Sequence, residues 1–246
     1  MRLAVIADIH GNDLALEAVL ADIDALGITD IVNLGDHVSG PLNAARTADI
    51  LMKRAIPSIR GNHDRYLLTV APRDLGLSDR SAYDELQPEH REWLATLPVA
   101  HVHRETFFLC HATPTNDETY WLEALTTDGT VHMAARSAIE AEAAGINYPV
   151  ILCGHTHIQR AIRLSDGRLV VNPGSVGCPG YDDDQPVPHK VEAGSPDARY
   201  AVVEQTPSGW SVTFRSVPYD WMAMSRLAAS RNRLEWARAL ATGFID

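Results

Sequence analysis

The chain has 246 residues, 46% hydrophobic and 22% charged, proportions that exclude a disordered tail, a fibrous repeat and a coiled coil. No apolar run reaches the ~18 residues a membrane span needs. The net charge of −11 opposes a DNA backbone, so a long nucleic acid is a poor candidate partner.

In chain order, Leu3-Ala4-Val5-Ile6-Ala7 is a short apolar run, the mark of a buried strand, and it ends at Asp8. Leu16, Val19, Leu20, Ile23 and Leu26 recur at helical spacing before Gly27, where a helix cap belongs. Ile31 to Leu34 reads as a second strand, Ala44 to Arg54 as a helix, and Ile56 to Ile59 as a third strand despite Pro57. Residues 65–100 are polar and partly helical, with Leu86, Trp93, Leu94 and Leu97 on one face. Phe107 to Cys110 is a strand, 115–147 a loop followed by a helix over 133–144, and Val150 to Cys153 and Leu169 to Val171 two further strands. Proline, glycine and three aspartates make 179–198 a mobile surface loop. A hairpin follows across Thr206-Pro207-Ser208-Gly209, and a helix from Asp220 closes the chain. Strands alternating with helices imply a parallel sheet with right-handed crossovers. No repeat or linker breaks the chain, so a single domain over 1–246 is expected.

The chemistry sits at strand ends. Five apolar runs lead directly into Asp8-Ile9-His10, Gly35-Asp36, Gly61-Asn62-His63-Asp64, His111 and Gly154-His155-Thr156-His157. In parallel α/β sheets, ligands bind beyond the carboxyl ends of the strands. Leaving His63 aside, two aspartates, an asparagine and four histidines can converge there. Oxygen and imidazole donors suit Mn²⁺, Fe²⁺, Zn²⁺ or Ni²⁺, and the absence of thiolate argues against a structural zinc site. Seven donors exceed the needs of one metal with an open position. Two metals sharing a carboxylate account for them, and two such cations ~3.5–4 Å apart can hold a bridging hydroxide for attack on phosphorus.

The blocks DIHGN, GDHVSG, GNHD, CHATP and GHTH, in that order, resemble the calcineurin-like metallophosphoesterase superfamily, and its small bacterial and archaeal phosphodiesterases most. The resemblance covers Met1 to about Gly177, leaving the C-terminal hairpin and helix over 199–246. It implies an α/β fold, a four-layer αββα sandwich of two mixed β-sheets flanked by helices. It implies that Asp8, His10 and His157 hold one metal, that Asp36 bridges, and that Asn62, His111 and His155 complete the second. His63 would face the phosphate and protonate the leaving oxygen or stabilise transition-state charge, with Asp64 orienting it. Ala112 stands where a glycine often follows the histidine of that block.

Asn12, Arg65 and Arg160 flank ligand blocks and are candidate phosphate contacts, although a structural role is weighed ahead of that one. His37, His90, His101, His103, His132 and His189 read as capping or surface residues. Cys110 and Cys153 read as strand packing, and Trp210, Trp221 and Trp236 as packing or contacts within a homo-oligomer.

These residues predict a phosphoesterase using two divalent metals per chain, Mn²⁺ first, with Fe, Zn, Ni or Mg as alternatives. The expected substrate is a small phosphodiester or nucleotide-type polyphosphate. Segments 65–105 and 112–147 would wall the pocket, and Tyr120 and Trp121 would offer a stacking face. A metal-dependent nuclease is the alternative, and a non-catalytic scaffold on the same fold a third reading, which the full donor set disfavours. An N-terminus too soon charged for a signal peptide, together with three sparse cysteines read as reduced thiols, predicts a cytoplasmic protein.

Overall fold

A computed structural model of the chain describes residues 1–245. In β1 (Arg2–Ile6), Leu3 and Val5 face one side and Ala4 and Ile6 the other, all fully buried, so the strand is covered on both faces. α1 (Asp13–Ala25) supplies one cover. Leu16, Val19 and Ile23 pack on Ala4 and Ile6, and Asn12 caps the helix by accepting from the Ala15 amide at 3.1 Å. β2 (Ile31–Asn33) pairs in parallel with β1, and α2 (Ala44–Arg54) follows.

The expected third strand is a single parallel bridge between Asn33 and Ser58. Pro57 has no amide to donate, so only its carbonyl joins the sheet, accepting from Asn33 at 3.0 Å. The polar stretch that follows holds three short helices: α3 (Asn62–Thr69), α4 (Leu77–Glu85) and α5 (Pro88–Thr96). Leu86 and Leu94 are buried, with Trp93 and Leu97 against them, on Val38, Ala44 and Ala48.

The second sheet has the order β3-β4-β7-β9-β8. It is built from β3 (Ala100–His103), β4 (Phe107–Cys110), β7 (Val150–Leu152), β8 (Arg160–Arg163) and β9 (Leu169–Asn172). Its outer face carries β5 (Glu123–Leu125), β6 (Val131–Met133) and α6 (Arg136–Glu142), a shorter helix than expected. β3 and β8 lie at the sheet's edges. Their mixed residues (His101, His103, Arg160, Arg163) show no apolar run because neither strand is fully buried.

Residues 179–198 form a hairpin, not a loop: β10 (Gly180–Asp183) pairs with β11 (His189–Glu192). The Tyr120 hydroxyl holds it, hydrogen-bonding both the Tyr181 hydroxyl and His189 Nε2. β12 (Ala198–Thr206) and β13 (Gly209–Val217) complete the first sheet as β13-β12-β1-β2. The last helix is two helices, α7 (Trp221–Ser230) and α8 (Leu234–Thr242), separated at Asn232, which adopts the left-handed conformation (φ 60°) that asparagine tolerates.

Leu3, Val5, Val32 and Val203 from the first sheet meet Phe107, Leu109, Leu152 and Val171 from the second. Burying each such side chain fully contributes roughly 1.5–3 kcal/mol, so this interface binds the sheets face to face. With helices outside both, the architecture is the expected αββα sandwich of the calcineurin-like fold.

Candidate metal centre

The carboxyl ends of β1 and β2 in one sheet and of β4 and β7 in the other open toward one another. Backbone bonds stitch the four loops in pairs: Asp8 N donates to Gly35 O (3.0 Å), His10 N to Asp36 O (3.1 Å) and Gly154 N to His111 O (2.6 Å). Asp8, His10, Asp36, His155 and His157 all have left-handed backbones, with φ between 52° and 71°. Such conformations cost about 1–3 kcal/mol each in a non-glycine residue and persist only where the surroundings impose them. Five of the seven sequence-predicted ligands sit in them.

The donors fall into two groups. One ligand atom each from Asp8, His10 and His157 lie within 4.8 Å of one another, as do one each from Asp36, His111 and His155. Asp36 Oδ2 stands between them, 3.9 Å from His10 Nε2 and 3.3 Å from His111 Nε2. Asn62 Oδ1 lies 3.0 Å from His111 Nε2.

Each imidazole donates one N–H to a backbone carbonyl, and in His10, His155 and His157 the other nitrogen thereby turns into the site as a lone pair. His10 Nδ1 bonds Ser39 O (2.8 Å), His157 Nδ1 bonds Cys178 O (2.9 Å), His111 Nδ1 bonds Leu34 O (2.8 Å) and His155 Nε2 bonds Glu118 O (2.8 Å). His10 Nε2 and His157 Nε2 thereby face each other at 3.1 Å as two lone pairs, an arrangement that repels unless a cation lies within reach of both. Burial pushes His10 and His155 down to about 4 and His157 well below its usual range, which keeps them neutral, the form that binds metal. Burial would depress His111 too, but facing Asp36 lifts it to about 10. Burial raises Asp8 to about 8, whereas for Asp36 the facing His111 and His63 outweigh burial and hold it well below the carboxylate range. This buried set of oxygen and nitrogen donors fits hard to borderline divalent cations.

Gly61 shows how tightly the loops close. A Cβ there would lie 2.1 Å from Asp36 Oδ1, so no side chain can replace its hydrogen without moving that carboxylate.

Asp64 serves a different purpose from the expected one. It does not touch the His63 ring. Its carboxylate accepts from the amides of Asp36 (2.9 Å), His37 (3.1 Å) and Gly61 (3.0 Å) and from His37 Nδ1 (2.7 Å), clamping the Asp36 and Gly61 loops together. His37, read as a surface or capping residue, is fully buried in this clamp. The partner of His63 is Asp79, on the first turn of α4. Asp79 Oδ1 lies 2.8 Å from His63 Nδ1 and accepts from Ser39 Oγ at 2.7 Å. Burial would lower His63, but Asp36 and Asp79 outweigh it and raise it to about 9. Nothing in the sequence flagged Asp79, a lone acid in a polar stretch.

The three candidate phosphate contacts are engaged elsewhere. Asn12, fully buried, caps α1 and donates to Gly177 O and the Tyr219 hydroxyl, both at 3.0 Å. Arg65 forks onto Asp117 (2.7 and 2.9 Å) and reaches Glu118 (2.6 Å). Arg160 donates to buried Glu123 at 2.6 Å. Neither arginine lines the cavity over the centre. Trp121 is packing: it is buried, with Nε1 bonded to Ile139 O.

That cavity, of about 280 Å³, is lined by His10, Asp36, Asn62, His155 and His157 of the centre and by Ser78, Tyr120, Tyr181, Arg233 and Trp236. Ser78 and Tyr120 come from the two segments expected to wall the pocket. Arg233 and Trp236 do not, and Trp236, read as a packing or oligomer contact, stands edge-on to His10 with ring centroids 6.1 Å apart.

A family model of the calcineurin-like phosphoesterase superfamily domain matches residues 1–191. The chain belongs to the calcineurin-like phosphoesterase superfamily. An uncharacterized protein of Methanocaldococcus jannaschii is 28% identical over 200 residues, 72% of this chain and 76% of that one. The crystal structure of a metallophosphoesterase from Sphaerobacter thermophilus superposes with a TM-score of 0.74 at 25% identity, over 99% of both chains. That of a hypothetical protein from Pyrococcus horikoshii superposes with a TM-score of 0.77 at 22% identity, over 100% of this chain and 99% of that one, and supports the fold. In this calcineurin-like chain, Arg233 and α8 lie beyond the family-matched residues yet help wall the cavity. Among the described residues, no helix is long and apolar enough to cross a membrane.

Proposed function

We propose that this phosphoesterase-family chain hydrolyses small phosphate esters using two divalent metal ions, Mn²⁺ being the first choice, with Asp36 shared between them. The observation that carries the reading is the pair of donor groups, buried except for half-buried His155, with Asp36 Oδ2 within 3.9 Å of a nitrogen in each. Asp8, His10 and His157 would hold one ion and Asn62, His111 and His155 the other. Metals bound there would supply an activated water and neutralise charge on the phosphoryl oxygens.

The chain's own residues complete the chemistry. Asp79 holds the His63 Nδ1 side by hydrogen bond, leaving Nε2 for the cavity, where it can give a proton to the departing oxygen. The four carbonyl-anchored imidazoles are oriented before substrate arrives, so little reorganisation accompanies binding. Burial excludes bulk water and strengthens each charge interaction in the site.

The test is a panel of phosphomonoesters and phosphodiesters assayed after chelation and reloading with Mn²⁺, Ni²⁺, Mg²⁺ or Zn²⁺. Turnover that vanishes on chelation and returns with metal supports the reading, as does metal analysis giving two ions per chain. Metal-independent turnover, or one ion per chain, overturns it. A duplex DNA arm separates the nuclease alternative: cutting of a 30-mer faster per bond than any small ester would favour that reading.

A further inference from the structure

Arg233 precedes α8, outside every motif block and beyond the family-matched residues. Among the described residues it is the only lysine or arginine lining the cavity over the centre, whose other charged walls include Asp182, Asp183 and Glu235. Its guanidinium is held from two sides. Nε pairs with Glu235, and Nη2 donates to Ser78 Oγ at 3.1 Å. Nη1 is buried and has no hydrogen-bond partner, an unfavourable state for a charged donor.

The position of this arginine carries a direction. Ser78, which it touches, is the neighbour in sequence of Asp79, and Asp79 holds His63. Arg233 therefore stands on the His63 side of the cavity, where the leaving group departs. A guanidinium fork matches the oxygens of a phosphate. The volume of about 280 Å³ lies just below the ~300–1,000 Å³ typical of ligand pockets, which suits a compact anionic group and not a polymer.

We propose that Arg233 binds a second phosphate carried by the leaving group, making the preferred substrate a phosphoanhydride or diester whose departing half is itself phosphorylated. This rests on the phosphoesterase reading above. Trp236, on α8 and lining the same cavity, gives that half an apolar wall.

The test compares wild type with Arg233→Ala and Arg233→Lys on bis-p-nitrophenyl phosphate, whose leaving group lacks phosphate, and on ADP-ribose and a dinucleoside tetraphosphate, whose leaving groups carry it. Losing a charge-assisted hydrogen bond of ~1.5–3 kcal/mol should raise KM for the phosphorylated pair about 10- to 100-fold in Arg233→Ala. Turnover of bis-p-nitrophenyl phosphate should stay within about twofold. Arg233→Lys, which keeps the charge without the fork, should lie between. If Arg233→Ala fails to fold by circular dichroism, the lysine variant decides by the same split. Titration calorimetry of metal-free protein with AMP reads the contact without turnover, and wild type should bind more tightly than either variant. Equal losses on all substrates, no loss on any, or a wild type that cleaves only bis-p-nitrophenyl phosphate overturns this inference and leaves the phosphoesterase reading intact. A wild type that cleaves none of them with any metal overturns both.

Discussion

His63 Nδ1 lies 2.8 Å from Asp79 Oδ1, a contact across 16 residues that joins the first turn of α3 to the first turn of α4. It fixes which nitrogen of the ring faces the cavity and gives His63 a partner that does not touch any of the donor atoms of the centre.

His63→Ala should keep both metals while slowing turnover by roughly 10²–10⁴, the usual worth of a general acid. The loss should shrink with good leaving groups such as p-nitrophenolate, which need little protonation. Steady-state kinetics on a leaving-group series, alongside metal analysis, checks this. A loss independent of the leaving group, or loss of metal, would contradict the role.

Asp79→Asn should lower kcat about 10- to 100-fold with little change in KM, as for other groups that orient a working imidazole. Because Asp79 is proposed to act through His63, the double variant His63→Ala/Asp79→Asn should be no slower than His63→Ala alone. Fully additive losses would mean that Asp79 matters for another reason, such as holding α4.

Metal occupancy should respond to Asp36 and to its neighbour Gly61. Asp36→Asn removes the anionic donor between the two groups and should lower metal content and activity together. Gly61→Ala sets a methyl 2.1 Å from the present position of Asp36 Oδ1, so it should displace the carboxylate and reduce metal content without changing any donor. Elemental analysis of both variants, with circular dichroism to confirm folding, decides this. Full occupancy in Gly61→Ala would show that the loop yields.

Asp22 ties α1 to β12 and β13. It accepts from the Tyr200 hydroxyl (2.6 Å) and from Arg215 (2.8 and 3.1 Å). Partial burial works against its charge, but the bonds from Arg215 and Tyr200 outweigh burial and hold it below the usual carboxylate value. A depressed folded value means the cluster stabilises fully above the unfolded pKa of ~3.9 and loses that contribution as pH falls through the folded value. Asp22→Asn should therefore melt below wild type at pH 7, with the gap closing as pH falls below the unfolded value and through the lower folded one. Melting curves across that range test it, and coincident curves at pH 7 would rule out a stabilising role.

The five motif blocks and the buried strands Leu3 to Ala7, Phe107 to Cys110 and Val150 to Cys153 were legible because fully buried strands write their burial as apolar runs, and the residues that end them are the donors. The family resemblance and the candidate donors follow from that local pattern, and the sandwich follows from the resemblance. Edge strands such as β3 and β8 were not legible, since half-exposed residues carry no such run, and β10–β11 was hidden by prolines and acids whose order depends on Tyr120, some sixty residues away. The exchange of roles between Asp64 and Asp79, the saturation of Arg65 and Arg160 by nearby carboxylates, and the arrival of Arg233 and Trp236 from the far end of the chain were settled only by folding. A side chain's type is written in the sequence. Which partner it finds depends on distances that packing alone sets, and Asp64, the residue next to His63 at a helix start, points away from its ring while Asp79, sixteen residues off, points to it.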